Sequence, residues 1–452
     1  MPRTLSAQAA RSLSASAAGR QAIQAAEQKD RQHLLDLLGI KELRQPSSHS
    51  HPDSPVAANY DEAKADVYKN IPNPLVLNDG KPVTNARMWW TKRRPQIVAA
   101  FNREILGFVP AHTPKVDWEV EKTTNETVGG VPATVEKLVG RVENSIDPAI
   151  VVEIHALLVL PARAPGPVPV VVELSFDNEF DPIWDGAQPS THPGDPEPPW
   201  QAQVLAKGWG YAMLSPTSFQ ADNGAGLDRG MIGLMDRGRP RSHTDWGALR
   251  AWAWGASRLL DYLETDQAVD GKQVGIMGHS RFGKTALVAM AYDPRFAIAY
   301  INSSGEGGAK LYRHIYGEEI SNLTGLGEYH WFDGEFLKYG GPLNAGDLPV
   351  DANELIALCA PRPVFIGAGN PTEPGDGWAD PEGEFLAEAG ASPVYELLGK
   401  KGLGTAVFPP IGTALLRGDL AWREHPGGHD PAPNWPTFLE FASRYLHAKA
   451  AK

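Results

Sequence analysis

The sequence is short of the features that mark several large classes of protein. Its 452 residues contain one cysteine, Cys359, so neither an internal disulfide nor a cysteine-based metal cluster can form. No apolar stretch approaches the length of a membrane span, and a formal net charge of -12 is unsuited to binding nucleic acid. We therefore expect a soluble globular protein, with Cys359 as a small buried residue of a helix over 353–360.

The N-terminal region lacks a continuous apolar core of the kind that a secretory signal needs. It is rich instead in alanine, serine, glutamine and arginine. We expect residues 1–55 to be a tail, either helical or disordered, and assign it no function. Residues 56–452 are expected to form one catalytic domain with loop insertions.

Apolar runs at intervals along the chain predict the strands of a buried sheet. Helical patterns alternate with the later runs, as is typical of an α/β protein with a mostly parallel sheet. Residues 176–200 are dense in proline, aspartate and glycine and are expected to be an irregular surface loop. The expected strands are 116–124, 134–143, 150–160, 168–174, 210–214, 274–277, 297–301, 363–369 and 420–424, and helices are expected around 86–108 and at 245–263, 285–290, 353–360 and 436–447.

The helix over 245–263 carries apolar residues at helical spacing, with Thr244 or Asp245 as its cap. Trp252 and Trp254 are expected to pack in the core rather than to contact a ligand. This helix leads directly into the most informative segment of the chain.

That segment, VGIMGHSRFGKTALVAM over 274–290, fits two incompatible motifs. Gly278 to Thr285 matches the phosphate-binding loop of nucleotide hydrolases, yet His279, Arg281 and Phe282 are bulky lining for a cradle of backbone amides. The alternative is a nucleophile elbow, in which an apolar strand turns sharply at Ser280 and enters a helix. We favour the elbow, and with it the α/β-hydrolase fold, a three-layer αβα sandwich.

A serine nucleophile needs an imidazole to accept its proton and an acid to orient that imidazole. In this fold the acid and then the histidine follow the serine along the chain. His429, in a loop after two glycines, is preferred over His425 as the base. For the acid, Asp376 is preferred, with Glu306 and Glu373 as alternatives.

Several segments resemble the bacterial glucuronoyl esterases, carbohydrate esterases that cut lignin from glucuronoxylan. The matching segments cover most of the chain from about residue 60 onward: DWGALRAWAWG, DYLETD, GHSRFGKTAL, SSGEGGA, LPVDANELIALCAPRPVF, DGWADPEGEF and GGHD. In many members the acid precedes the Ser-Gly pair, and here that position is Ser303, which cannot serve. Other members supply the acid from an Asp-x-Trp segment, so the resemblance supports Asp376.

The resemblance also implies roles for four further residues. Arg281 would stabilise the oxyanion, Lys284 and Glu318 would bind sugar hydroxyls, and Trp378 would flank the sugar ring. It implies a secreted or periplasmic enzyme, although no signal peptide is visible in this chain, and we expect a monomer.

The expected activity is hydrolysis of the ester between 4-O-methyl-glucuronic acid of glucuronoxylan and lignin alcohols, through an acyl-enzyme on Ser280. No metal and no organic cofactor is expected, and neither nucleic acid nor membrane is an expected partner. The alternatives are an acetyl xylan esterase or other carbohydrate esterase, and a P-loop nucleotide hydrolase.

Overall fold

A single ten-stranded sheet organises the protein in the computed structural model, which describes residues 17–51, 53–189, 198–372 and 375–448. The strand order is β1-β2-β3-β5-β4-β6-β7-β8-β10-β9. The six strands β5, β4, β6, β7, β8 and β10 run parallel, and the remaining strands add antiparallel. Their bounds are β1 Val116–Val128, β2 Val131–Val142, β3 Glu153–Pro161, β4 Val168–Leu174, β5 Gly210–Ser215, β6 Val269–His279, β7 Ile298–Asn302, β8 Val364–Gly369, β9 Ala414–Leu415 and β10 Leu420–His425.

Helices cover both faces of the sheet, which gives the expected three-layer α/β-hydrolase arrangement. Those of six or more residues are α1 Ala17–Leu38, α2 Arg94–Phe101, α3 Asp177–Trp184, α4 Trp200–Ala206, α5 Gly230–Asp236, α6 Ala248–Leu263, α7 Arg281–Tyr292, α8 Ala352–Ala357, α9 Pro381–Leu397 and α10 Trp435–Ala442. Shorter helices lie at Ala86–Met88, Ile320–Leu323 and Leu337–Gly340, and π-helical turns at Trp89–Arg93 and Asn102–Leu106 flank α2.

The two faces of the sheet carry separate apolar clusters, because side chains alternate along each strand. Val170 and Val172 of β4 pack in the larger cluster together with helices α6, α7, α8 and α9. Val171 packs in the smaller cluster together with α3, α4 and α10. Trp252 and Trp254 are buried in the larger cluster, as is Cys359, which confirms the core positions predicted for them.

Two sequence-based expectations are wrong. Helix α6 begins at Ala248, and its cap is Gly247 rather than Thr244 or Asp245. Gly247 packs so closely against the backbone of Trp331 that a Cβ would lie 2.2 Å from the Trp331 carbonyl oxygen, so tertiary packing sets the start of the helix. Residues 176–200, expected to be irregular, contain α3 and the first residue of α4. Among the described residues, no helix combines the length and the apolar character needed to cross a membrane.

Helix α1 packs against the rest of the described fold rather than lying apart from it. Leu34 and Leu35 are buried in the larger cluster. The backbone carbonyl of Glu27 accepts from the Tyr329 hydroxyl at 3.0 Å, and its carboxylate accepts from Gly224 N at 3.3 Å. These contacts connect α1 to the loop that contains Gly224 and to the segment that contains Tyr329.

Ile276 on β6 tests the importance of the central strands, since it is fully buried between β4 and β7. We expect Ile276→Ala to lower the free energy of unfolding by about 2–5 kcal/mol, from lost burial and the cavity that remains. Val407→Ala is the control: Val407 is 77% exposed, so its change should stay within about 0.5 kcal/mol. Urea unfolding followed by tryptophan fluorescence measures the free energy of unfolding of both variants. Equal losses in the two variants would contradict the burial of Ile276 in the core.

Candidate active site

Ser280 occupies a strained turn between β6 and α7. Its φ of 55° and ψ of -130° lie in a region that non-glycine residues rarely adopt. The turn needs glycine at 278, because a Cβ there would lie 2.0 Å from the Phe282 carbonyl oxygen. One residue separates strand from helix, so no run of backbone amides remains to surround a phosphate. The geometry is that of a nucleophile elbow, and the phosphate-loop interpretation is wrong.

Asp376 and His429 form a hydrogen-bonded pair beside the elbow. His429 Nδ1 lies 2.7 Å from Asp376 Oδ1, and the His429 ring centroid lies 4.3 Å from that of His279, the residue before Ser280. Asp376 is 1% exposed, whereas the His429 side chain is 44% exposed. A carboxylate on Nδ1 fixes the proton there and leaves Nε2 free to accept one.

One backbone donor and one side-chain donor bind the other oxygen of Asp376. Gly369 N donates to Oδ2 at 2.8 Å, and the Ser303 hydroxyl donates to the same atom. Ser303 therefore contacts the carboxylate of the Asp-x-Trp segment through its hydroxyl group. This arrangement keeps the carboxylate in place and fully hydrogen-bonded.

The competing candidates lie elsewhere or are already bonded. Gly427 N donates to His425 Nδ1 at 3.0 Å, and His425 Nε2 lies 2.9 Å from the Asp430 carbonyl oxygen, so both ring nitrogens are occupied. Glu306 is buried in an ion pair with Lys310. Glu373 lies outside the described residues.

The imidazole of His279 is held neutral. Burial, together with the neighbouring His429, keeps the pKa of His279 well below its ordinary value. Asn302 Nδ2 lies 3.1 Å from its Nδ1. A neutral ring at this position avoids placing a second positive charge beside His429 when His429 takes up a proton.

Arg281, the first residue of α7, is fixed by an acid and two aromatic rings. One guanidinium nitrogen donates to Asp222 Oδ2 at 2.5 Å. The guanidinium carbon lies 5.7 Å from the ring centre of Phe176 and 5.4 Å from that of Trp331. Its Nε is buried and has no hydrogen-bond partner among the described residues. A buried donor without a partner, beside the elbow, is suited to an anion that forms there during reaction.

The three residues expected to bind substrate are connected to one another. Lys284 Nζ donates to the carbonyl oxygens of Ser304 and Glu306 and to Glu318 Oε2 at 2.7–2.8 Å, so each of its hydrogens has a protein acceptor. The backbone N–H of Glu318 donates to the Trp378 carbonyl oxygen at 2.9 Å. Lys284 and Glu318 are buried, and Trp378 is partly exposed.

Four residues of the site had no signal in the sequence: Asp222, Glu328, His330 and Trp331. Asp222 lies in a loop between β5 and α5, and the other three lie in one short segment between β7 and β8. Burial and the charge of Glu318 raise the pKa of Glu328 to about 7, and its Oε2 is buried with no hydrogen-bond partner in the described part of the chain. Only their contacts across the fold identify these residues.

One group of side chains has the composition of a metal site: Glu62, His314 and Asp380. His314 bonds Asp380 through Nδ1 at 2.7 Å and Glu62 through Nε2 at 2.8 Å, so both ring nitrogens are used by carboxylates. Although burial opposes it, the bond to Asp380 raises the pKa of His314. Lys310 Nζ lies 4.0 Å from the same Asp380 oxygen, so the group is an ion-paired cluster that links Glu62 to the Asp376–Asp380 segment.

Glu384 of α9 is a buried acid behind Asp376. Its Oε1 accepts from the Ser304 hydroxyl and from Gly305 N, both at 2.8 Å, and its Oε2 has no hydrogen-bond partner within the ranges that the structure describes. Burial raises the pKa of Glu384 to about 8, and the charge of Asp376 adds to the rise. Glu384 is therefore protonated at neutral pH in the folded protein.

The titration of Glu384 predicts a loss of stability with rising pH. The unfolded chain ionises this group from its ordinary value of 4.5, while the folded protein keeps it neutral up to about 8, so the unfolded state binds fewer protons between these values. In this window Glu384 should lower the free energy of unfolding by up to about 1.4 kcal/mol per pH unit.

Glu384→Gln should remove that part of the slope while keeping the acceptor for Ser304 and Gly305. Urea unfolding across the window measures it, with the exposed Glu440→Gln as control. An unchanged slope in Glu384→Gln would refute the assignment.

Comparison with known proteins gives a consistent result. A family model described as "Glucuronyl esterase, fungi" matches residues 241–399. The chain is 35% identical over 422 residues to "Carbohydrate esterase MZ0003" of an unknown prokaryotic organism, covering 87% of this chain and 93% of that protein. It is 28% identical over 337 residues to a 4-O-methyl-glucuronoyl methylesterase of Schizophyllum commune, covering 73% and 74%.

Solved structures agree. A CE15 glucuronoyl esterase from Teredinibacter turnerae is 45% identical with a TM-score of 0.86, covering 92% of this chain and 99% of that one. A glucuronoyl esterase from Solibacter usitatus is 37% identical with a TM-score of 0.74, covering 85% and 99%.

Proposed function

Because the chain belongs to the glucuronoyl esterase family of carboxylic ester hydrolases, we propose that it cleaves 4-O-methyl-glucuronoyl esters of glucuronoxylan with lignin alcohols through an acyl-enzyme on Ser280. The observation that carries the proposal is the Asp376–His429 pair beside the strained turn at Ser280. A polymeric plant cell-wall substrate places this activity outside the cytoplasm.

The reaction proceeds in two steps, acylation of Ser280 and hydrolysis of the acyl-enzyme. His429 Nε2 takes the Ser280 proton as Oγ attacks the ester carbonyl, and the tetrahedral intermediate collapses when His429 returns that proton to the leaving alcohol. Water then attacks the acyl-enzyme with His429 as base, and the uronic acid leaves as Ser280 regains its proton. Asp376 keeps Nδ1 protonated throughout and stabilises the imidazolium.

Arg281 would stabilise the oxyanion. The support for this role is its buried Nε–H, which has no protein acceptor, together with its place one residue after the nucleophile. The backbone N–H of the residue after the nucleophile is the donor that this fold ordinarily supplies. A guanidinium adds a charge-assisted bond to the same oxygen.

Lys284, Glu318 and Trp378 would bind the sugar. Trp378 offers a partly exposed ring to the sugar face, and its backbone is tied to Glu318. Lys284 would bind a hydroxyl by exchanging one of its three protein acceptors. Its charge is already balanced by Glu318, so the pair would contact neutral hydroxyls without selecting for a charged substrate.

The test compares benzyl glucuronate with an acetylated xylo-oligosaccharide, for the parent protein and for Ser280→Ala. We expect hydrolysis of the glucuronate, abolished in the variant because the nucleophile is lost. Preferential release of acetate would instead indicate an acetyl xylan esterase or another carbohydrate esterase. Hydrolysis of the glucuronate by Ser280→Ala at the parent rate would refute an acyl-enzyme on Ser280.

Asp376→Asn tests the acid. The amide would favour the wrong tautomer of His429, so we expect kcat to fall by about 10⁴-fold. Glu424→Gln is the matched control, since Glu424 is a buried acid at the end of β10. Steady-state kinetics on benzyl glucuronate measures both variants, and near-parent turnover in Asp376→Asn would move the assignment to another carboxylate.

A further inference from the structure

The side chain of Arg281 is long and begins at the first residue of α7, so its own helix does not determine where the guanidinium lies. The only acid bonded to it among the described residues is Asp222. Phe176 and Trp331 limit its movement from the sides. The direction of the unpartnered Nε–H therefore depends on where Asp222 holds the opposite end of the guanidinium.

Asp222 is itself fixed by further donors. Its Oδ1 lies 3.0 Å from His330 Nε2 and accepts from Trp331 Nε1 at 2.7 Å, while Oδ2 accepts from Arg281. Although burial opposes it, the bonds from His330 and the charge of Arg281 hold the pKa of Asp222 well below its usual range. The carboxylate is thus ionised and bonded on both oxygens.

Helix α1 supports both loops that meet at Asp222. Glu27 contacts Gly224, two residues after Asp222, and Tyr329, the residue before His330. Asp30 of the same helix lies 3.5 Å from the buried Arg241, whose guanidinium donates to the Phe332 carbonyl oxygen at 3.0 Å. The N-terminal helix therefore fixes the spacing between the loop of Asp222 and the segment of His330 and Trp331.

We propose that Asp222 is the positioning residue of Arg281, holding the guanidinium so that its Nε–H faces the developing oxyanion, with α1 bracing the two loops that fix Asp222. This rests on the role proposed above for Arg281. It gives a task to the N-terminal region and to a loop residue far from every sequence motif.

A positioning role and a purely electrostatic role for Asp222 predict opposite effects of Asp222→Asn on kcat. The negative charge of Asp222 partly cancels the positive potential of Arg281, so its removal should strengthen attraction to an oxyanion if charge alone mattered. If geometry matters, Asp222→Asn should lower kcat by about 10- to 100-fold, because small displacements of a catalytic group cost this much. KM should be unchanged, since the ground-state ester carries no charge at the oxyanion position.

The decisive experiment is chemical rescue. Arg281→Ala should lower kcat by about 10²- to 10³-fold, the usual effect of losing an oxyanion donor. Free guanidinium at millimolar concentration should restore at least part of the activity, because Asp222, Phe176 and Trp331 form a site for it. The double variant Arg281→Ala with Asp222→Asn should show no rescue. Sodium chloride at equal ionic strength is the salt control.

Every kcat is expressed per serine titrated with a phosphonate inhibitor, so loss of folded protein does not imitate a catalytic effect. Asp228→Asn is the matched control on the same loop, because the Asp228 side chain is 58% exposed, and it should leave kcat unchanged. If Asp222→Asn does not fold, Asp222→Glu, which keeps the charge but displaces the carboxylate, should still lower kcat.

The outcomes separate the two claims. Parent-level turnover in Arg281→Ala would remove the role of Arg281 and the positioning role with it. A low rate that guanidinium rescues equally with and without Asp222 would leave Arg281 in place and overturn the positioning role alone. An unchanged kcat in Asp222→Asn would also overturn it.

Discussion

The arrangement of the site depends on the hydrogen bonds to the buried carboxylate of Asp376. A buried charge is tolerated only when its oxygens are hydrogen-bonded, and here His429, Ser303 and Gly369 supply the donors. Those donors come from three regions of the fold, namely the end of β8, the end of β7 and the loop after β10. Satisfying one acid therefore fixes the relative positions of all of them.

A second, partly buried carboxylate, that of Asp222, repeats this arrangement around Arg281, the residue after Ser280. Asp222 accepts from two rings and one guanidinium, as Asp376 accepts from one ring, one hydroxyl and one amide. In the proposed mechanism each acid would orient one cationic or potentially cationic group toward the ester; the Asp376 side chain is 1% exposed and that of Asp222 is 18% exposed. Charge is thereby placed at the site without leaving an isolated ion in the interior.

The sequence predicts the parallel sheet and the elbow well, because apolar runs and the Gly278–Ser280 turn are local signals. It favours Asp376 through a motif, while the roles of the site residues stay predictions. Asp222, Glu328 and His330 escape notice because their importance comes from contacts between segments far apart in sequence. The start of α6 was mispredicted for the same reason, since the backbone of Trp331 determines it.

The two ends of the sheet have a consequence for the behaviour of the protein in concentrated solution. One edge strand, β1, has 13 residues, of which four are both charged and exposed: Asp117, Glu119, Glu121 and Lys122. The other edge, β9, is two residues long. Charged or very short edges resist pairing with strands of another molecule. In the described part of the chain, the sheet can thus extend to ten strands without offering a template for aggregation.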